Sequence, residues 1–123
     1  MMTVNEICKV VIIDDDYTAT EDLKKGLAVY SDMLIKGTAV NGAKGRKMIM
    51  EQRPDLLFLD IELPDMLGIR LLSDMRDEVV WDMKVVFYTA YDKYLLQALR
   101  ESAFDYLLKP FTTEELDGII ERY

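Results

Sequence analysis

The sequence predicts an α/β protein, a single domain in which helices cover both faces of a parallel β-sheet. Short apolar runs alternate with helical patterns five times along the 123 residues. Three of these runs are apolar throughout, as is typical of parallel strands buried on both faces. Neither a linker nor a low-complexity segment divides the chain, and its length suits one domain. Five strand–helix units imply right-handed crossovers and helices on both sides of the sheet.

Five β-rich apolar runs predict the strands. The first, third and fourth runs are continuous, whereas the second is interrupted by Lys36 and Gly37. The runs cover residues 10–13, 34–40, 56–59, 85–88 and 106–108.

Apolar side chains at helical spacing predict the helices between the strands. Thr18 with Glu21, and Thr112 with Glu115, have the spacing of a capping box and would mark two helix starts. Asp92 is a candidate cap for a third helix. The predicted apolar stripes are Ala19, Leu23, Leu27 and Tyr30; Ile69, Leu72 and Met75; Leu95, Leu96 and Leu99; and Leu116, Ile119, Ile120 and Tyr123.

The remaining helix is predicted between Gly42 and Arg53, although Gly45 lies inside it and its apolar stripe is thin. Residues 42–47 combine small and basic side chains, a composition that also occurs in phosphate cradles and nucleic-acid patches. They lack the spacing of a P-loop, so we assign them to a solvated helix.

The composition excludes several classes of protein. The chain has no histidine, which excludes Ser-His-Asp or Cys-His catalysis, His-ligated zinc and a phosphohistidine of its own. With 23 acidic against 15 basic residues and a net charge of −8, its surface is not built to neutralise nucleic-acid phosphates. The single Cys8 cannot form an internal disulfide. Since neither a membrane-spanning stretch nor a signal peptide is visible, we expect a soluble cytoplasmic protein.

Charged or hydroxyl side chains follow four of the five predicted strands. Ligands of parallel sheets bind beyond the carboxyl ends of the strands, so these residues are expected to meet at one rim. Two carboxylates about 4 Å apart repel by about 4 kcal/mol at an effective dielectric of about 20, unless a pKa rises or a cation enters. Oxygen-only ligands suit Mg²⁺, while a lysine and a hydroxyl suit a phosphoryl anion. The residues are Asp14, Asp15, Asp16, Asp60, Thr89 and Lys109.

Four motifs together resemble the receiver domain of two-component response regulators, in order and spacing and over essentially the whole chain. Residues 89–92 and 104–111 are most similar to receivers of LytTR-type (LytR/AlgR) transcriptional regulators. The resemblance implies a flavodoxin-like (βα)5 three-layer fold with strand order 2-1-3-4-5. It also implies one receiver domain over residues 1–123, with the effector domain absent from this chain. The motifs are VIIDDD at 11–16, LDIELP at 59–64 with Gly68, FYTA at 87–90 and DYLLKPF at 105–111.

The resemblance implies a role for each residue at the rim. Asp60 would be the phosphoryl acceptor. Asp14 and Asp15, together with Asp60 and the backbone carbonyl of Glu62, would hold Mg²⁺. Lys109 would pair with the phosphoryl group.

The resemblance further implies a conformational switch. Thr89 would move to hydrogen-bond the phosphoryl group, and Tyr106 would turn inward behind Thr89. Asp16 would serve the start of the first helix rather than the metal, and Pro110 would follow a cis peptide bond.

The function implied by the resemblance is a phosphorylation-activated signalling switch of a bacterial two-component system, and not a conventional enzyme. A separate sensor histidine kinase would supply the phosphoryl group, and the domain would catalyse only its own phosphorylation and dephosphorylation. We expect a LytTR-type DNA-binding effector domain in the parent chain, no nucleic-acid or membrane binding by this domain, and a homodimer on phosphorylation. The helix from Asp92, the strand at Tyr106 and the helix from Thr112 would form the readout face. The alternative is a stand-alone or degenerate receiver that acts only as a protein–protein interaction module.

Two other classes share part of this pattern. A phosphatase of the haloacid-dehalogenase type uses an aspartyl nucleophile with Mg²⁺, but that nucleophile follows the first strand and a cap covers the substrate. A flavodoxin-like cofactor carrier needs a first loop that cradles phosphate, which the carboxylates of residues 14–16 would repel. Turnover of phosphate esters and flavin absorbance distinguish these classes from a phosphorylation switch.

Overall fold

The computed structural model describes residues 6–123 and confirms the predicted α/β architecture. Five parallel strands form one sheet in the order β2-β1-β3-β4-β5, and the helices pack on its two faces. No helix in this range is long and apolar enough to cross a bilayer. In chain order the elements are β1 (Cys8–Ile13), α1 (Tyr17–Leu27), β2 (Met33–Ala39), α2 (Gly42–Gln52), β3 (Leu56–Leu59), α3 (Gly68–Asp74), β4 (Lys84–Thr89), α4 (Leu95–Arg100), β5 (Asp105–Leu108) and α5 (Thr113–Arg122).

The sheet divides the core into two apolar clusters. Side chains alternate along β1, so Val10 and Ile12 face the cluster under α1 and α5, whereas Val11 and Ile13 face α2 and α3. Gly45 explains how α2 approaches the second face, because a Cβ atom there would lie 2.6 Å from Cδ1 of Ile13. The glycine that weakened the helical pattern is therefore a packing requirement.

The two predicted capping boxes have opposite outcomes. Thr112 and Glu115 form one, with each side chain accepting the other residue's backbone N–H at 3.2 and 2.9 Å. The box of Thr18 and Glu21 is wrong, because α1 begins one residue earlier than Thr18 and is capped by Asp16. The Asp16 carboxylate accepts a backbone N–H of the first turn at 3.1 Å, where the helix dipole favours its charge. Asp16 thus serves the helix start, as the resemblance implied.

The apolar stripe predicted for α4 is wrong in its direction. Leu95, Leu96 and Leu99 are 47, 58 and 62 % exposed, and Ala98 is the buried residue of this short helix. Asp92 does not cap α4 with its side chain. Periodicity identified an apolar face, but α4 turns that face to solvent.

Candidate functional site

The rim at the carboxyl ends of the strands is held by backbone hydrogen bonds. The N–H groups of Asp14, Asp60 and Lys109 donate to the neighbouring strand at 2.9, 2.9 and 2.8 Å, which extends the parallel ladder past the strand ends. The peptide bond between Lys109 and Pro110 is cis, in agreement with the expectation. The backbone hydrogen bonds hold Asp14, Asp60 and Lys109 in place, and their side chains meet at the same rim of the sheet.

Three of the predicted carboxylates come together at this rim. One oxygen from each of Asp14, Asp15 and Asp60 lies within 4.8 Å of the other two. Asp14 and Asp60 are only 3 and 6 % exposed, whereas Asp15 is open to solvent. Two buried carboxylates and one exposed carboxylate therefore form a cluster that a small cation can reach from solvent.

Lys109 supplies the positive charge of the cluster. Its Nζ lies 2.7 Å from Oδ2 of Asp14 and 3.3 Å from Oδ2 of Asp60, above the ring of Tyr88. Burial lowers the pKa of Lys109, but the two carboxylates more than offset this effect and leave that pKa raised. Lys109 is therefore a permanent cation beside Asp60.

Asp14 remains incompletely satisfied in spite of this ion pair. Its Oδ1 accepts the backbone N–H of Asp16 at 2.9 Å. Its Oδ2 is buried and lies 2.7 Å from the ammonium of Lys109, but no group among residues 6–123 meets it with hydrogen-bond geometry. Burial, with a smaller contribution from the charge of Asp60, raises the pKa of Asp14 to about 6. A buried carboxylate oxygen without a hydrogen bond is a ligand atom ready for a cation.

The loop after Asp60 folds back on itself and leaves the carbonyl of Glu62 without a backbone donor among residues 6–123. The N–H of Gly68 donates to the carbonyl of Ile61 at 2.6 Å. Residue 68 must be glycine, because a Cβ atom would lie 2.1 Å from the carbonyl oxygen of Asp60. Within the described range no N–H donates to the carbonyl of Glu62, whose oxygen is left for a ligand.

The two expected switch residues both contact the segment that follows β4. Thr89 is fully buried, and its Oγ1 accepts the N–H of Tyr91 at a long 3.4 Å. Tyr106 packs against Phe87 and donates its hydroxyl to the carbonyl of Tyr91. Burial raises the pKa of Tyr106, which keeps this hydroxyl a donor at neutral pH. Tyr91 thus links Thr89 to Tyr106.

Two residues that sequence reasoning missed attach the acceptor loop to the start of α4. The hydroxyl of Tyr94 donates to Oε2 of Glu62 at 2.7 Å, and Nζ of Lys93 lies 3.6 Å from the same oxygen. The hydrogen bond to Glu62 raises the pKa of Tyr94. No local signal announces this contact, because its two sides are 32 residues apart.

The amino-acid sequence of this chain is similar to those of known response regulators. Residues 10–121 match the response regulator receiver domain family. A Vibrio cholerae protein described as an uncharacterized response regulatory protein is 45 % identical over 112 residues, 91 % of this chain and 46 % of its own length. The transcriptional regulatory protein BtsR of Escherichia coli K12 is 39 % identical over 114 residues, 93 % of this chain and 47 % of BtsR. The chain spans about half the length of these relatives.

Solved structures share the fold. The response regulatory domain of mrkE from Klebsiella pneumoniae superimposes with a TM-score of 0.84 at 28 % identity, over 93 % of each chain. The REC domain of AraT, a response regulator from Geobacillus stearothermophilus, gives 0.84 at 27 % identity over 94 % of this chain and 92 % of its own. With the family match over nearly the whole length, these likenesses show that this chain belongs to the response regulator receiver domain family.

Proposed function

We propose that this chain is a phosphorylation-activated switch in which Asp60 accepts a phosphoryl group from a sensor histidine kinase. The observation that carries the proposal is the buried Asp60 carboxylate, 3.3 Å from the ammonium of Lys109 and beside two further carboxylates. An oxygen of Asp60 forms the new bond to phosphorus while the bond from phosphorus to the donor nitrogen breaks. Lys109 neutralises charge on the phosphoryl oxygens during this transfer. Hydrolysis by water then returns Asp60 and inorganic phosphate.

The donor atoms of the rim fit Mg²⁺. They are all oxygens, and they include the buried Oδ2 of Asp14 and the carbonyl of Glu62, to which no N–H among residues 6–123 donates. Asp14, Asp15, Asp60 and the Glu62 carbonyl would hold the ion. When bound, Mg²⁺ supplies charge neutralisation to the phosphoryl oxygens.

The output proposed is a conformational change of the segment that Tyr91 occupies. Thr89 leaves its long bond to the N–H of Tyr91 to donate to the phosphoryl oxygens, and Tyr106 follows inward. The exposed leucines of α4 adjoin this segment and would serve homodimer formation in the phosphorylated state. This is the face that the resemblance to receivers assigns to readout.

We further propose a LytTR-type DNA-binding effector domain in the parent protein, acting in the cytoplasm. Support comes from the motifs at residues 89–92 and 104–111, and from relatives about twice as long that are named transcriptional regulatory proteins. The net charge of −8 favours an output domain, rather than this chain, as the part that contacts DNA.

The test of the proposed function is incubation with Mg²⁺ and a small phosphodonor, followed by mass spectrometry. We expect one phosphoryl group per chain, and no adduct when EDTA removes the metal. Borohydride reduction of the aspartyl phosphate to homoserine, with peptide sequencing, should place the group on Asp60. Absence of an adduct on the native chain would favour the alternative, a degenerate receiver that only binds partner proteins.

Replacing Asp15 by Ala is expected to weaken Mg²⁺ binding by about tenfold or more, because it removes a ligand charge that is open to solvent. The measurement is calorimetric titration with Mg²⁺. Asp77→Ala removes the same charge from an exposed turn after α3 and should leave the affinity unchanged. Equal Mg²⁺ affinity in the native chain and Asp15→Ala would refute the metal role of Asp15.

The lifetime of the phosphoryl group is expected to depend on Glu62 and Tyr91, which lie next to Asp60 and Thr89 in the proposed phosphorylation site. Tyr91→Ala should speed hydrolysis about threefold, since a smaller side chain beside Thr89 excludes less water. Glu62→Gln should change the rate by loosening the bond from Tyr94. The decay of the adduct after donor removal measures both, with Glu51→Gln on the exposed side of α2 as control. Dephosphorylation rates equal to that of the native chain in both variants would contradict this hypothesis.

A further inference from the structure

We propose that Asp65 is a positioning residue, which holds the acceptor loop against the start of α2 and so orients the Glu62 carbonyl. The inference rests on the proposed function and deepens it. Oδ1 of Asp65 accepts the N–H of Gly42 at 2.7 Å, and Oδ2 accepts the N–H of Ala43 at 3.0 Å. These two hydrogen bonds lower the pKa of Asp65, so its carboxylate is charged at neutral pH.

The tip of the loop packs directly on the helix start. A Cβ atom on Gly42 would lie 2.4 Å from Sδ and 2.6 Å from Cγ of Met66, the neighbour of Asp65. The N–H of Leu63 donates to the carbonyl of Met66 at 3.2 Å, which closes the turn at this tip. Hydrogen bonds from Asp65 and close packing of Met66 therefore both hold the tip of the acceptor loop against the start of α2.

The α2 helix has an N-cap of its own in addition to Asp65. The side chain of Asn41 already caps α2, accepting the N–H of Lys44 at 2.8 Å. The carboxylate of Asp65 is a second acceptor at this helix start, and it comes from a loop 22 residues further along the chain. We therefore infer that its main effect is to hold the acceptor loop in place. The same carboxylate occupies the end of α2 where a phosphate cradle would bind its anion, so residues 42–47 do not act as one.

The contact of Asp65 completes a series of hydrogen bonds that connects the acceptor loop, through α2 and β2, to the backbone of Asp14. α2 follows β2, whose last carbonyl, from Ala39, accepts the N–H of Asp14 at 2.9 Å. The acceptor loop begins at Asp60, whose N–H donates to Ile13 at 2.9 Å. Asp65 joins the far side of this loop to α2, with Glu62 between the two attachments. Without Asp65, the loop keeps its attachment at Asp60 and the contacts of the Glu62 side chain with the start of α4, but it loses its hydrogen bonds to α2.

The test compares Asp65→Ala, Asp65→Asn and the charge-matched control Asp77→Ala in the intact chain. We expect Asp65→Ala to weaken Mg²⁺ binding about tenfold by calorimetry, and to lower the phosphorylation rate with a small phosphodonor by a similar factor. Asp65→Asn should fall between, because its amide oxygen still accepts one N–H. Backbone amide shifts of residues 61–68 should move in Asp65→Ala and stay in place in Asp77→Ala.

Three outcomes are distinguishable when all proteins are measured well below their unfolding temperatures. Weaker Mg²⁺ binding in Asp65→Ala, partly rescued in Asp65→Asn, supports the positioning role. Native affinity in Asp65→Ala, even with a lower unfolding temperature, would reduce Asp65 to a structural cap and overturn the inference alone. A native chain that binds no Mg²⁺ and forms no adduct would overturn the proposed function, and the inference with it.

Discussion

Replacing Asp60 by Asn is expected to abolish the phosphoryl adduct while leaving the fold intact. The amide has the shape of the carboxylate but lacks the anionic oxygen that forms the bond to phosphorus, so adduct formation should fall by about 100-fold or more. Lys109 keeps its ion pair with Asp14 at 2.7 Å, and no buried cation is left unpaired. Intact-protein mass spectrometry with Mg²⁺ and a small phosphodonor measures the effect.

The matched control for this substitution is Asp77→Asn, which removes the same charge from an exposed position. It should form as much adduct as the native chain. The circular dichroism of Asp60→Asn should equal that of the native protein, which separates lost chemistry from lost structure. An undiminished adduct in Asp60→Asn would mean that another residue is the acceptor.

The sequence predicted those elements whose residue types are set by burial in the core. Strands such as Leu56–Leu59 are covered on both faces, and only an unbroken apolar run satisfies that environment. The meeting of Asp14, Asp15 and Asp60 follows from the parallel sheet itself, because its strands all end at the same rim. Neither inference needed the detailed conformation of a loop.

What the sequence did not predict depends on contacts between segments far apart in the chain. The α4 leucines have helical spacing, but no local signal says whether another element covers Leu96. The contacts of Glu62 with Tyr94, and of Asp65 with Gly42, depend on how two loops lie across the rim. Asp16 and Thr18 are both good N-cap residues, and the sequence alone does not say which of them begins α1. In the structure Asp16, the earlier of the two, is the cap.

The second large effect is expected for Asp14→Asn, which should stabilise the metal-free domain. Burial raises the pKa of Asp14 from 3.8 to about 6, so the folded state holds this proton more tightly than the unfolded state does. The charged carboxylate therefore opposes folding: the cost is absent below pH 3.8, grows as the pH rises, and is complete above about pH 6. A difference of about two pH units corresponds to at most about 3 kcal/mol. This figure already includes the attraction of Lys109. Because the asparagine amide is itself a buried polar group that loses its hydration, we expect a net gain of about 1–2 kcal/mol at pH 7.5.

Urea unfolding, followed by the fluorescence of the single Trp81, measures this gain with and without Mg²⁺. A ligand at 100 times its dissociation constant stabilises the folded state by about 2.7 kcal/mol, and the native chain should show such a gain in Mg²⁺. Asp14→Asn should show almost none, because it lacks the buried charge that the ion would neutralise. Asp77→Asn should behave as the native chain in both solutions. A metal-free Asp14→Asn less stable than the native protein, or one still strongly stabilised by Mg²⁺, would contradict the view that Asp14 gives up folding free energy to keep a cation site ready.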